Sequence, residues 1–420
     1  MRADAASDSR RRADPATPAA ALSGRRVLEL ADESGVYCGK LLADMGADVV
    51  KVERPGGDPT RWIPPFWGDQ AHAERSLFFL YTNTSKRGVT LDPTRPEGRT
   101  LFLRLAETAD LVVETLPPGR LTELGLGYET LRARNPRLVL TSITGFGQTG
   151  PRRGWASCDL VASALGGAMY VTGEEEDPPV RLAGSQALIM ASTCAAVSSL
   201  IALLHAGRSG QGQHVDISVE ETVASAAHIS GVGRWLDDGI LPRRFGTGLV
   251  AAVPSGAYPC QDGLVYLIVN RPLHWKALAR WIHEVTGVEE VLDPMFEGPS
   301  SARQPYRELL DLWISELTSR LGVDEVYHQG QRRHIALTPV NDAAAVAGDP
   351  HLAARGYFVD VEHPGAGRLS YPGAPYRHAA TPWRIARPAP AVGQHNHEIY
   401  AGELGIPEDT LRAHQRDGVV

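Results

Sequence analysis

The 420-residue chain predicts a doubly wound α/β layer. Two observations carry that expectation. Short apolar runs of strand length alternate with segments of helical period over the first 230 residues. Glycine and proline fall where such helices should stop and start: Gly46 after the first, Pro96 in the opening turn of another.

Taken in order, "RRVLEL" (25–30) reads as a buried strand, "GVYCGKLLADMG" (35–46) as a helix and "ADVVKVE" (47–53) as a second strand. That β-α-β unit is the usual source of a parallel sheet. A strand at 87–92, a helix at 96–110, a strand at 111–115, a helix at 128–136 and a strand at 137–147 continue the alternation. A helix at 187–206, the strand "QHVDISV" (213–219) and a helix from Glu220 complete the first part. Near residue 230 the texture turns irregular and rich in Gly and Pro. A strand (264–270), a helix (274–287) and a helical pair (308–330) follow, and 351–382 returns to short strands and turns. The expected organisation is a tail at 1–23, a large domain at 24–230, a smaller α+β domain at 235–335 and a C-terminal part of the large domain at 345–420.

Hydrophobic residues make up 43% and charged residues 22%, as in a soluble globular protein. A formal charge of -7 argues against general nucleic-acid binding, which needs a cationic surface. The four cysteines, Cys38, Cys158, Cys194 and Cys260, form no CxxC pair and no metal-ligand spacing, so no metal site is expected. Free thiols suit a reducing, cytoplasmic setting. The Ala-, Pro- and charge-rich tail reads as disordered, and no adequate apolar segment follows its Arg10–Arg12 run. "ALIMASTCAAVSSLIALL" (187–204) is apolar enough to be weighed as a membrane span. Its Ser, Thr and Ala content favours a buried helix closed by Gly207.

Ligands of such sheets bind beyond the carboxyl ends of the strands. "KVERPGGDPTR" (51–61) offers Arg54 and Arg61 around a Gly-Gly turn, and "YTNTSKRG" (81–88) offers Lys86 and Arg87. Together they suggest a cradle for phosphate groups, with solvated surface cations as the plainer alternative. No GxGxxG follows the first strand and no Walker motif is present, which disfavours nicotinamide chemistry and nucleotide hydrolysis. Asp159, in "GWASCDLVASALGG" (154–167), stands alone among small and apolar residues. It reads either as the N-cap of the following helix or as an ionised carboxylate able to attack an activated acyl group. A helix N-terminus would favour the ionised form in both cases.

Several segments, in this order, resemble the class III CoA-transferases, the formyl-CoA transferase-like family. They are 41–61, "KRGVTLD" (86–92), 117–151, "CDLVASALGGAMYVTG" (158–173), "GRSGQGQHVDISVEE" (207–221) and "DPHLAARGYFVDVEHP" (349–364). The resemblance spans nearly all of 24–420. It implies an interlocked homodimer whose large Rossmann-like domain is built from both chain ends, with a smaller domain between. It implies acyl-CoA and small carboxylic acids as substrates, coenzyme A being a substrate and no cofactor being tightly bound. It assigns Asp159 as the nucleophile of an aspartyl anhydride and an aspartyl-CoA thioester. Arg54, Lys86 and Arg87 would line the CoA site. The "RFGTG" loop (244–248) would cover the reacting group, with Gly246 and Gly248 as candidate oxyanion donors.

The same fold hosts α-methylacyl-CoA racemases, which need an acid/base pair. Their pattern places His before the shared Asp and a second Asp in a later segment; here those positions hold Cys158 and Leu188. A catalytically silent CoA-binding subunit of a hetero-oligomeric transferase is the other alternative.

Overall fold

The structure is a computed structural model that describes residues 20–227, 231–249 and 252–420. They form two compact units. The first runs through Gly166, Ala183–Ala227 and Gly356–Val420; the second takes Gly167–Leu182 and the chain up to Arg355.

The first unit is built on β1 (Arg26–Leu30), α1 (Val36–Asp44), β2 (Asp48–Glu53), α2 (Leu77–Thr82), β3 (Arg87–Thr90), α3 (Pro96–Glu107), β4 (Leu111–Glu114), α4 (Arg120–Glu123), α5 (Tyr128–Arg134), β5 (Val139–Thr144), α6 (Asp159–Leu165), α7 (Gln186–Ser209), β6 (His214–Ser218) and α8 (Val219–Ala226). The strands make a six-stranded sheet in the order β3-β2-β1-β4-β5-β6, parallel throughout. β1, β4 and β5 are buried along almost their whole length because both faces of a parallel sheet are covered. The order reverses between β1 and β4, which is where such sheets open a crevice at their carboxyl end.

Local chemistry sets the ends of the helices. Pro96 opens α3. Ser218 caps α8 by accepting from Glu221 N. The apolar segment weighed as a membrane span is α7, the one helix long and apolar enough to span a bilayer among the described residues. It does not stop at Gly207; Gly210 ends it at φ 74°. One face of α7 packs on α1, α8 and β5 through Ala187, Ala191, Ala195 and Leu203. The other leaves Val197, Ile201 and Leu204 more than half exposed.

The chain's last residues complete the core of this unit. Ile399, Tyr400, Leu411 and Val419 pack with Leu28, Val50, Phe102 and Val112. Tyr400 donates to Thr90 O at 2.8 Å, and Asp92 N donates to Val419 O at 2.8 Å. The hairpin β10 (Phe358–His363) and β11 (Gly367–Pro372) belongs to the same unit.

The second unit carries α9 (Val232–Asp238), the antiparallel sheet β7 (Ser255–Pro259), β8 (Leu264–Ile268) and β9 (Ala336–Pro339), and the helices α10 (Pro272–Thr286), α11 (Arg307–Ser319) and α12 (Val323–Arg332). Trp275, Trp281, Leu278, Ile282 and Ile314 fill its core. Its limits differ from the 235–335 expected. β9 extends it because Leu337 pairs with Leu267. Residues 167–182, expected in the large domain, join it because Gly173 O accepts Gly246 N at 2.9 Å and Glu174 O accepts Arg244 Nε at 3.0 Å.

Candidate active site

Asp159 opens α6, but it does not cap that helix. Its Oδ1 accepts from Ala187 N at 2.9 Å and Leu188 N at 3.4 Å, the first turn of α7. The local N-cap reading is therefore corrected: the carboxylate caps a helix more than twenty residues downstream. Oδ2 accepts no hydrogen bond among the described residues, and Asp159 is half-buried. One oxygen is thus held by two amides at the positive end of a 24-residue helix, while the other is open to a reactant.

Further contacts carry this carboxylate to the sheet's crevice. Ser192, one turn along α7, donates to Ser34 O at 2.8 Å in the loop after β1. Asp32 N in that loop donates to Thr115 Oγ1 at 2.9 Å in the loop after β4. Added methyl carbon at Gly35 would sit 2.7 Å from Thr115, so a glycine there lets the two loops close on each other. Glu114 ends β4 at 3% exposure. Burial pushes its carboxyl up to about 7, against the pull of hydrogen bonds from Ser142 and Leu116 N.

Of the four cations read as a phosphate cradle, Arg54 reaches solvent, its Nε donating to Gly57 O at 3.1 Å. The other three are corrected. Arg61 is fully buried and paired through Nε and Nη2 with both oxygens of Glu53, at 2.6 and 2.8 Å. Lys86 is fully buried on Glu29, 2.8 and 2.9 Å from its oxygens, and also donates to Val36 O and Asn83 Oδ1. Burial draws its ammonium down to about 8 while Glu29 pulls it upward. Arg87 holds Asp48 at 2.5 Å and Glu398 at 3.0 Å, with Glu403 as a third partner. For Lys86 and Arg87 the reason is topological. The 81–88 segment leads into β3, so it lies at the amino end of that strand and not beyond a carboxyl end. Gly39 of α1 makes the Lys86–Glu29 pair fit, since a Cβ there would fall 1.6 Å from Glu29 Oε2.

The loop holding Gly246 and Gly248 belongs to the second unit. Neither glycine offers a free amide: Gly246 N donates to Gly173 O at 2.9 Å and Gly248 N to Phe245 O at 3.1 Å. Their assignment as oxyanion donors is corrected for this conformation. Gly246 is required on its own terms, at φ 58° with the Glu174 carboxylate 2.2 Å from where a Cβ would lie.

Comparison with known proteins decides the family. Residues 22–396 match the description "CoA-transferase family III". The chain belongs to CoA-transferase family III. The succinyl-CoA:(R)-benzylsuccinate CoA-transferase subunit BbsE of Thauera aromatica is 38% identical, over 91% of this chain and 94% of that one. The succinyl-CoA–D-citramalate CoA-transferase of Chloroflexus aurantiacus is 36% identical, over 96% and 99%. Among solved structures, a CAIB/BAIF family protein from Brucella suis superposes with a TM-score of 0.81 at 31% identity, covering 91% of this chain and 99% of its own.

Within family III, enzymes act on CoA thioesters as substrates. The racemase pattern has no chemistry to use here: Cys158 is exposed, Leu188 is buried, and no carboxylate stands at either position. The residues that sequence reasoning missed are the amides of Ala187 and Leu188. Backbone donors leave no residue-type signal, and the one hint was the start of a long apolar run not far beyond an isolated aspartate.

Proposed function

We propose that this chain transfers CoA from an acyl-CoA thioester to a carboxylic acid through covalent intermediates on Asp159. The observation that carries the reading is the pair of α7 amides on Oδ1 with Oδ2 left open. Oδ2 attacks the donor thioester carbonyl; the C–S bond breaks, leaving an aspartyl anhydride and CoA thiolate. The thiolate then attacks the aspartyl carbonyl, expelling the donor acid and forming an aspartyl-CoA thioester. The acceptor carboxylate attacks that thioester, and the released thiolate takes the new acyl group, restoring Asp159. Whenever the aspartyl carbonyl is attacked, negative charge builds on Oδ1, where the Ala187 and Leu188 N–H groups already point.

Arg54 binds a phosphate of CoA. Succinyl-CoA is the donor to try first and dicarboxylic acids the acceptors, because the relatives are named for such pairs. The active form is an interlocked homodimer; the exposed apolar face of α7 (Val197, Ile201, Leu204) gives a second copy a surface to cover. The working compartment is the cytoplasm.

A second reading has a specific observation in its favour: a 38%-identical relative is named as a subunit. On that reading Asp159 is a structural cap of α7, and the chain binds CoA beside an active paralogue. One experiment separates the two. Purified protein is incubated with succinyl-CoA and hydroxylamine, and its peptides are weighed. Hydroxamate at Asp159, lost in Asp159→Ala together with CoA exchange, supports the transferase mechanism. CoA binding without trapping supports the silent subunit.

A further inference from the structure

Two serines of α7, Ser192 and Ser199, are fully buried and stand two turns apart. Inside a helix, a serine or threonine commonly turns its hydroxyl back to the carbonyl one turn earlier. Thr193 does so, donating to Ile189 O at 2.8 Å. The two buried serines reach other elements instead. Ser199 meets Thr141 Oγ1 of β5 at 2.7 Å. Ser192 donates to Ser34 O at 2.8 Å, in the loop after β1. That loop is tied by its own bonds. Ser34 N donates to Asp32 Oδ1 at 2.9 Å, Gly35 N and Val36 N to Asp32 O at 3.0 Å, and Asp32 N to Thr115 Oγ1 at 2.9 Å. The buried side chains of α7 around this bond are Ala187, Ala191 and Ala195. Alanines form shallow ridges, so a directed bond does more than interlocking to fix the helix lengthwise. Ser192 stands one turn beyond Leu188, whose N–H reaches Asp159 Oδ1 at 3.4 Å, the outer limit of a hydrogen bond. A slip of about 0.2 Å along the axis, away from Asp159, would put that oxygen out of reach. All of these residues belong to the first unit.

We infer that Ser192 is a positioning residue for CoA transfer: its bond to Ser34 O anchors the first turn of α7 to the loop after β1 and so keeps the Ala187 and Leu188 amides on Asp159 Oδ1. This rests on the reading of Asp159 as the nucleophile. A serine suits the task because its hydroxyl supplies a directed donor without the bulk that would push α7 away from its neighbours. The amides matter most when the aspartyl carbonyl is attacked and charge builds on Oδ1. A donor displaced by about 1 Å costs up to roughly a hundredfold in rate. Ser199, on the same helix but away from Asp159, is the internal control, a buried serine whose bond holds the helix to the sheet and nothing more.

The test compares Ser192→Ala, Ser199→Ala and Asp159→Ala in the full chain, read by steady-state transfer from succinyl-CoA and by hydrogen exchange of the α7 amides. Ser192→Ala should lower kcat roughly tenfold to a hundredfold with KM for succinyl-CoA little changed. Amides 187 and 188 should lose protection in Ser192→Ala, as they do in Asp159→Ala, while amides farther along α7 keep theirs. Ser199→Ala should lose stability yet keep kcat and the protection of both amides. Unchanged protection at 187 and 188 in Ser192→Ala would overturn the anchor. So would equal losses of kcat in the two serine variants, because Ser192 would then act only through the stability of the helix. Lost protection with kcat unchanged would overturn the link between the anchor and transfer. A parent chain without turnover, or an Asp159→Ala variant that keeps it, strikes the reading of Asp159, and the exchange data still decide the anchor by themselves. Should Ser192→Ala not fold, Thr115→Val frees Asp32 N and loosens the same loop, and it carries the same readings.

Discussion

Arg54 and Arg61 lie in one short segment after β2 and carry the same charge, yet they sit in opposite environments. Arg61 is fully buried between both oxygens of Glu53, with Pro390 O as a further acceptor. Arg54 stands in solvent beside the Gly56–Gly57 turn. The same contrast separates the fully buried charges Glu29, Lys51 and Lys86 from the half-buried Asp159 at the start of α6. Charges of the first kind hold the architecture and are neutralised by neighbours in space. Those of the second kind keep an open atom for a ligand. Which kind a residue belongs to depends on carboxylates in other strands, so its own sequence neighbours do not reveal it.

The sharpest way to break that contrast is to remove one partner of a buried pair. Lys86→Met would leave the Glu29 carboxylate buried with only Lys51, 3.6 Å away. Breaking a buried pair in this way costs roughly 3–5 kcal/mol, because an uncompensated charge remains in a dry site. Urea denaturation should show that loss, and the Glu29→Gln/Lys86→Met double variant should recover part of it. A Lys86→Met protein of parental stability with a raised KM for CoA would instead return Lys86 to the ligand site.

Glu114 tests the border between the two kinds. Its folded carboxyl titrates at about 7, raised from 4.5 by burial. The folded state therefore holds a proton that the unfolded state has released across that interval. Stability from this group falls as pH rises from about 4.5 to 7 and stays lowered above it, by about 3 kcal/mol in full. Glu114→Gln keeps the shape and an acceptor for Leu116 N. It should gain stability over the parent between pH 5 and 8 and match it near pH 4, measured by thermal unfolding across that range. A pH-independent difference would mean that Glu114 is ionised and paired.

Much of the architecture was readable because its signals are local. Strand periods gave each strand of the six-stranded sheet to within a few residues, and the alternation with helices implied that the sheet is parallel, though not its order β3-β2-β1-β4-β5-β6. What escaped was long-range. Nothing near residues 167–182 announces that Gly173 O will meet Gly246 N. Nothing near Lys86 names Glu29, although Gly39, the glycine that makes room for their contact, sat unread in α1. Asp159 stood out by being a lone charge in a small-residue run, and its isolation is a property of sequence. Its hydrogen-bond partners belong to a backbone twenty-eight residues on.

The smallest expected effect sharpens the Arg54–Arg61 comparison most directly. If Arg54 meets a CoA phosphate, Arg54→Gln should raise KM for the acyl-CoA roughly tenfold, the range of a single exposed charge-assisted contact, and leave kcat alone. The salt dependence of KM should weaken with it, since one screened attraction is gone. Arg61→Gln should do the reverse: lower stability, leave the salt dependence of KM intact, and reduce activity only through loss of folded protein. If the two variants behaved alike, the distinction between an open and a buried arginine would have no functional content, and the phosphate contact would have to come from another cation at the crevice.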